Sequence, residues 1–159
     1  MEKLFAPWRM EYIKAADDTA GGCIFCDKPK DTDRRANLIV HCDELTLVML
    51  NRFPYNSGHL MVIPRTHAAR VGALPDAEFM ALFKMVNRAI EVLTDVYRPD
   101  GFNVGMNIGR VAGAGIDQHL HVHVVPRWAG DTNFMPVLGE TKVISEHLLA
   151  AWDSLAGKF

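Results

Sequence analysis

The chain has no apolar run approaching the roughly 18–20 residues that span a bilayer, and no dense cluster of Lys and Arg. The first absence argues against a transmembrane helix. The second removes the electrostatic footprint expected of a DNA- or RNA-binding protein. Seventeen Lys and Arg stand against 19 Asp and Glu, a formal charge of −2. Cysteine is scarce and odd in number, three in 159 residues, which makes no disulfide framework and fits a reduced, cytoplasmic setting. The opening MEKLFAPWRMEYIK lacks the apolar block of a secretory signal, so export is not expected. No internal repeat, low-complexity tract or long linker divides the chain, so residues 1–159 are expected to form one domain. A chain of this length buries about 68–70% of its unfolded surface and needs no cross-link to hold a core. Against this ordinary background stand seven histidines, three of them within five positions.

The apolar pattern predicts an α+β domain with a mostly antiparallel sheet, one long helix and a C-terminal helix. Short runs rich in Val, Ile and Leu at Leu38–Cys42, Leu45–Leu50 and His59–Ile63 read as strands, with a turn at Asn56-Ser57-Gly58 and a stop at Pro64. The long helix is expected over Asp76–Tyr97, capped by Asp76, with Phe79, Leu82, Phe83, Val86, Ile90, Leu93 and Tyr97 as its core stripe. Strands follow at Phe102–Ile108 and His119–Val125, the second ended by Pro126, with a glycine-rich loop at Gly109–Gly115 between them. Ser145 opens the last helix, which carries Leu148, Leu149, Trp152 and Leu155 on one face.

Successive side chains of a strand point to opposite faces. His119, His121 and His123 therefore share one face, about 6.6–6.8 Å apart, while Leu120, Val122 and Val124 face the core. A lone strand histidine is usually a satisfied structural residue. Three in register are not explained by strand propensity, and each needs polar partners if buried. Two chemistries want such a row. A neutral imidazole attacks phosphorus while its neighbours hold phosphate oxygens, or several imidazoles grip Zn²⁺ and activate a water. GRVAGAG, residues 109–115, tips the balance to the first, because its backbone N–H groups could cradle an anion. Taken alone it reads as a flexible turn, and it is no Walker A loop, since no Gly-Lys-[Ser/Thr] follows.

HLHVHVV, residues 119–125, resembles the His-x-His-x-His signature of the histidine triad proteins. The likeness extends to NRFPYNSGHLMVIP (51–64) and GFNVGMNIG (101–109), and covers about residues 23–133. The nearest branch is that of fragile-histidine-triad hydrolases and diadenosine tetraphosphate phosphorylases, and WRMEY (8–12) and PRWAGDTNF (126–134) resemble the phosphorylase side in particular. The resemblance implies cleavage of dinucleoside polyphosphates at the α-phosphate. His121 is then the nucleophile that forms a covalent nucleotidyl intermediate, and His123 holds non-bridging oxygens. It places Asn51 on the ribose, His59 near the nucleoside and triad, and Asn107, Gly113 and Gly115 at the phosphates. Outside that context Asn51 and Asn107 read equally well as turn or cap residues. Related hydrolases carry a Gln or Ser shortly before the triad, where this chain has Ala114-Gly115. That smaller pair leaves room for inorganic phosphate and favours phosphorolysis over hydrolysis. An adenosine phosphoramidate hydrolase and a non-catalytic nucleotide-binding regulator are the rival functions, and a three-histidine zinc hydrolase is the remote one. No organic cofactor is expected, and the resemblance implies a homodimer whose strands extend one sheet.

Cys23-Ile24-Phe25-Cys26 has metal-ligand spacing but supplies only half of a tetrahedral site. A redox pair is the rival, yet the strand-then-helix layout of such pairs is missing. The resemblance supplies His67 and His119 as the other two ligands of a structural zinc, which leaves His121 and His123 for chemistry. Cys42 is expected in the core. Trp128 suits base stacking or a subunit contact, and Trp8 and Trp152 suit packing.

Overall fold

The computed structural model describes residues 22–132 and 143–159. Trp8, the WRMEY segment and the end of PRWAGDTNF lie outside them. Among the described residues, five strands form one antiparallel sheet: β1 (Ile39–Cys42), β2 (Thr46–Leu50), β3 (Leu60–Pro64), β4 (Gly101–Gly105) and β5 (Val122–Arg127), in the order β1-β2-β3-β5-β4. The helices are α1 (Ile24–Asp27), α2 (Asp76–Tyr97) and α3 (Leu148–Leu155). No described helix is long and apolar enough to cross a membrane.

Period-two alternation gives the sheet two different apolar faces. Val48, Leu50, Leu60, Val62, Val122 and Val124 pack under α2 and α3, against Leu82, Val86, Leu93 and Leu155. Ile39, Leu47, Met49, Met61 and Ile63 face the other way and pack on Phe25 of α1. Both faces are covered, which is why β2 and β3 read as unbroken apolar runs and are buried at every position. Met61 pairs with His123 in register, so His123 belongs to the Phe25 face, opposite α2.

The long helix occupies its expected span, but two of its features differ. Pro75 takes the cap position, and Asp76 is the first helical residue with no capping bond. Pro has no N–H to lose there, and the acidic residues Asp76 and Glu78 favour the positive end of the dipole. Phe79 and Phe83 do not join the core. They are 39% and 41% exposed and contact each other as tilted rings at 5.1 Å, whereas the buried stripe runs through Glu78, Leu82, Val86, Ala89 and Leu93. The helix ends at Arg98 in a left-handed conformation, ahead of Pro99.

Strand limits shift as well. β4 stops at Gly105, short of the expected Ile108. β5 starts at Val122, not His119, because Leu120 donates its N–H to the Ala68 carbonyl and so leaves the ladder. It also runs through Pro126 to Arg127. The Pro126 carbonyl faces the side where β3 has ended and accepts from Asn56 Nδ2, so the missing N–H forfeits no ladder bond. α3 starts at Leu148, with His147 rather than Ser145 at its cap, Nδ1 accepting the Leu149 N–H. Cys42 is only half-buried, its Sγ accepting from Arg65 Nη1 at 2.7 Å. Trp152 packs as expected, donating Nε1–H to the Ile39 carbonyl.

Candidate functional site

The histidines of the Phe25 face are buried and locked by directional hydrogen bonds. His121 Nδ1 lies 3.0 Å from the His119 carbonyl. A carbonyl only accepts, so Nδ1 carries the proton and Nε2 keeps its lone pair. Burial lowers the His121 pKa and favours the neutral ring, with the bond to the His119 carbonyl opposing it. The result is a neutral imidazole whose Nε2 is nucleophilic.

His123 is set the opposite way. The Tyr55 backbone N–H donates to His59 Nδ1 at 3.0 Å, so the His59 ring proton sits on Nε2. His59 Nε2–H then donates to His123 Nδ1, also at 3.0 Å. His123 is left with its proton on Nε2, and that nitrogen is buried without a partner among the described residues. Burial first, then the neighbouring His121, pulls the His123 pKa down to about 4. The two rings meet edge to face at 4.9 Å. One presents a lone pair and the other an unused donor.

Sequence reasoning missed two side chains that shape this pair. Phe25, between the two cysteines, packs against His119 at 5.5 Å and His121 at 5.2 Å. Tyr55 lies over His59 at 4.7 Å and over His123 at 5.8 Å. Phe25 lies on α1, so the alternation of strand faces carries no signal for it, and no local signal marks Tyr55.

A cleft of about 830 Å³ is lined among others by Cys23, Asn51, Phe53, Met61, His67 and Gly115, whereas His121, His123, Asn107 and Gly113 are not in its lining. Asn51 is buried, and its Oδ1 accepts the Phe53 N–H at 3.0 Å, so it serves the turn as well as lining the cleft. Asn107 lies beyond β4 and reaches the glycine loop through the Gly113 carbonyl at 3.5 Å. Gly109 and Gly113 take positive φ values of 85° and 91°, which side chains resist. The N–H groups of Ala112, Gly113 and Ala114 turn back onto the Gly109 and Arg110 carbonyls. Of the Ala114-Gly115 pair, Ala114 is buried and Gly115 lines the cleft.

The four expected metal ligands come together. Cys23, Cys26, His67 and His119 each bring one ligand atom, all within 4.8 Å of one another, and this set could hold a metal ion. His119 Nε2–H donates to the Pro64 carbonyl at 2.9 Å, which leaves Nδ1 as the lone-pair nitrogen facing Cys23 Sγ at 3.2 Å and Cys26 Sγ at 3.6 Å. His67 Nδ1 lies 3.5 Å from Cys26 Sγ. Glu78 of α2 holds the approach to His67 by accepting both the N–H and the hydroxyl of Thr66. Trp128 is half-buried, its ring edge-on to Tyr97 at 6.5 Å.

Comparison with known proteins gives a consistent picture. A model of the HIT domain matches residues 33–130. An AP-4-A phosphorylase of Mycobacterium tuberculosis is 39% identical over 155 residues, covering 93% of this chain and 79% of that protein. An adenosine 5'-monophosphoramidase of Schizosaccharomyces pombe is 35% identical over 108 residues, 66% of this chain and 74% of its own. Among solved structures, a zinc-bound histidine triad protein from Mycobacterium smegmatis superposes with a TM-score of 0.67 at 23% identity, over 86% of this chain and 92% of that one.

Proposed function

This chain belongs to the HIT domain family, and from that premise we propose that it cleaves dinucleoside polyphosphates, diadenosine tri- or tetraphosphate, at the α-phosphate through a nucleotidyl-His121 intermediate. The observation that carries the reading is the opposed tautomers of His121 and His123. His121 Nε2 attacks the α-phosphorus and forms the P–N bond, while the P–O bond to the rest of the polyphosphate breaks and leaves with its electron pair. His123 Nε2–H donates to a non-bridging oxygen as charge gathers there. Asn51 holds the ribose, His59 holds His123, and Asn107 with the loop at Gly113 and Gly115 serves the phosphates. A second acceptor then displaces His121 from phosphorus.

We favour inorganic phosphate as that acceptor. Gly115 puts no side chain into the cleft, and the M. tuberculosis relative is a phosphorylase. Water would release AMP, whereas phosphate releases ADP. The S. pombe relative supports a second reading, hydrolysis of an adenosine phosphoramidate through the same intermediate with an amine as leaving group.

The Cys23, Cys26, His67 and His119 set fits a structural zinc. Tetrahedral bonds of zinc length put sulfur and nitrogen about 3.6 Å apart, close to the 3.2–3.6 Å found here. Bound there, zinc supplies a cross-link between α1 and the start of the triad. We further propose a single domain over residues 1–159, a cytoplasmic location, and a homodimer that extends the sheet at β4, an outer strand with Val104 exposed.

Product identification tests the function. Diadenosine tri- and tetraphosphate are incubated with and without phosphate, with adenosine phosphoramidate in parallel. The expected result for the tetraphosphate is ADP and ATP, formed only when phosphate is present. ADP formed independently of phosphate overturns phosphorolysis, and turnover of the phosphoramidate alone overturns the substrate class.

A further inference from the structure

We propose that Asn56 and Asp131 are positioning residues for this reaction, braced together so that the turn between Asn51 and His59 holds the Tyr55 N–H on His59 and thereby fixes the tautomer of His123. The inference rests on the proposed function for its kinetic consequence, but its structural content stands apart from any substrate.

Asn56 sits at the centre of that turn and is buried. Its carbonyl accepts the His59 N–H at 3.2 Å, so it touches the histidine directly through the backbone. Its side chain reaches the other way, across 70 and 75 positions of sequence. Nδ2 donates both its hydrogens, one to the Pro126 carbonyl at 3.1 Å and one to Asp131 Oδ2 at 2.8 Å. Asp131 is fixed in turn. Arg127 Nε and Nη2 donate to its two oxygens at 2.6 and 3.0 Å, and the Trp128 N–H donates to Oδ2 at 3.2 Å. Arg127 Nη1 also donates to Asn103 Oδ1 of β4 at 2.7 Å. The brace therefore ties the turn to the far end of β5 and to β4. The Arg127 guanidinium holds Asp131 well below the usual carboxylate range, so the acceptor persists across working pH.

By contrast, the bonds from Asn51 N–H to the His59 carbonyl and from Phe53 N–H to Asn51 Oδ1 run within residues 51–59. They shape the turn without anchoring it to β5. Tyr55, one residue before Asn56, carries the donor that decides both ring tautomers. If the turn slides and that N–H withdraws, His59 is free to carry its proton on Nδ1 and present a lone pair at Nε2. His123 must then move its own proton to Nδ1 to meet it. His123 Nε2 becomes an acceptor facing phosphate oxygens, which also only accept. Each ring keeps one proton throughout, exchanged through solvent. The defect falls on charge developing in the transition state, so it enters kcat rather than KM.

The test uses Asn56→Ala, Asp131→Ala and Asp131→Asn in the full chain, the last keeping size and an acceptor for Asn56 if the alanine variants do not fold. Histidine ¹⁵N NMR of the free protein reads the His123 tautomer. The expected result is Nε2–H in the unaltered chain and a mixed or Nδ1–H pattern in the variants. With it, kcat is expected to fall about tenfold to hundredfold, as for loss of other outer-shell partners, at a KM held within about threefold. A His123 pattern unchanged in folded variants overturns the proposal, as does a loss confined to KM. Should the unaltered chain turn over none of the substrates, the proposed function fails, while the tautomer measurement still decides the brace.

Discussion

His59 Nε2 lies 3.0 Å from His123 Nδ1, and because the Tyr55 N–H occupies the other nitrogen of His59, that bond runs in one direction only. It leaves His123 with its proton on Nε2, as a donor. Removing the donor by His123→Ala should cost about 10²–10³ in kcat, the range seen when one oxyanion-hole donor is lost. His59→Phe keeps the ring and loses the relay, so its loss should be smaller but of the same kind. Steady-state kinetics check both. A rise in KM at unchanged kcat would place His123 in ground-state binding instead.

The lone pair on His121 exists because the His119 carbonyl holds the opposite nitrogen. His121→Ala and His121→Asn should show no turnover above background while still binding nucleotide. Rapid quenching into alkali, followed by intact mass measurement, should find one nucleotidyl adduct on the unaltered chain and none on the variants. Turnover that survives in His121→Asn would refute the covalent route.

Acid should destabilise the protein in a definite window. His123 titrates near 6.5 when unfolded and at about 4 when buried in the fold. The unfolded chain binds the extra proton between those values, so stability is full above about pH 6.5 and falls as pH drops toward 4. The difference amounts to about 3 kcal/mol from His123. His121 shifts in the same direction and adds to it. Urea midpoints at pH 7.5, 5.5 and 4.5 measure this, and a constant midpoint across the three would contradict it.

Much of this site was legible in the chain because period-two alternation is enforced by backbone geometry. It places His119, His121 and His123 away from Leu120, Val122 and Val124, and Val122 and Val124 do lie under α2. The bounds of α2 are legible from its 3.6-residue spacing and from the Pro99-Asp100-Gly101 stop after it, although Pro75 and not Asp76 takes the cap position. What failed was tertiary. Helical spacing cannot say how wide a stripe the sheet will cover, and Phe79 and Phe83 fall outside the buried stripe through Leu82, Val86, Ala89 and Leu93. His119 and His121 sit outside the ladder because the Pro64 carbonyl takes a side chain and the Ala68 carbonyl takes the Leu120 N–H, choices made 50 or more positions away. The roles of Tyr55, Asn56 and Asp131 depend on contacts that no local pattern encodes.

Those distant choices also tie the cysteines to the nucleophile, and this gives the last prediction. His119 faces Cys23 and Cys26 with Nδ1 while its carbonyl fixes His121, and Phe25 is wedged between the two cysteines and against both rings. A metal held by Cys23, Cys26, His67 and His119 would therefore stiffen the bond that gives His121 its lone pair. Protein prepared without chelator should carry close to one zinc per chain by elemental analysis. Cys26→Ser should lose it. Since about 1 kcal/mol shifts Tm by roughly 2–4 °C for a chain of this size, loss of a cross-link between α1 and the triad should lower Tm by more than about 4 °C. The kinetic loss should appear in kcat before KM, because the damage reaches His121 through the His119 backbone and leaves Asn51 in place. A Cys26→Ser protein with unaltered Tm and kcat would show that the four side chains meet without a metal to hold.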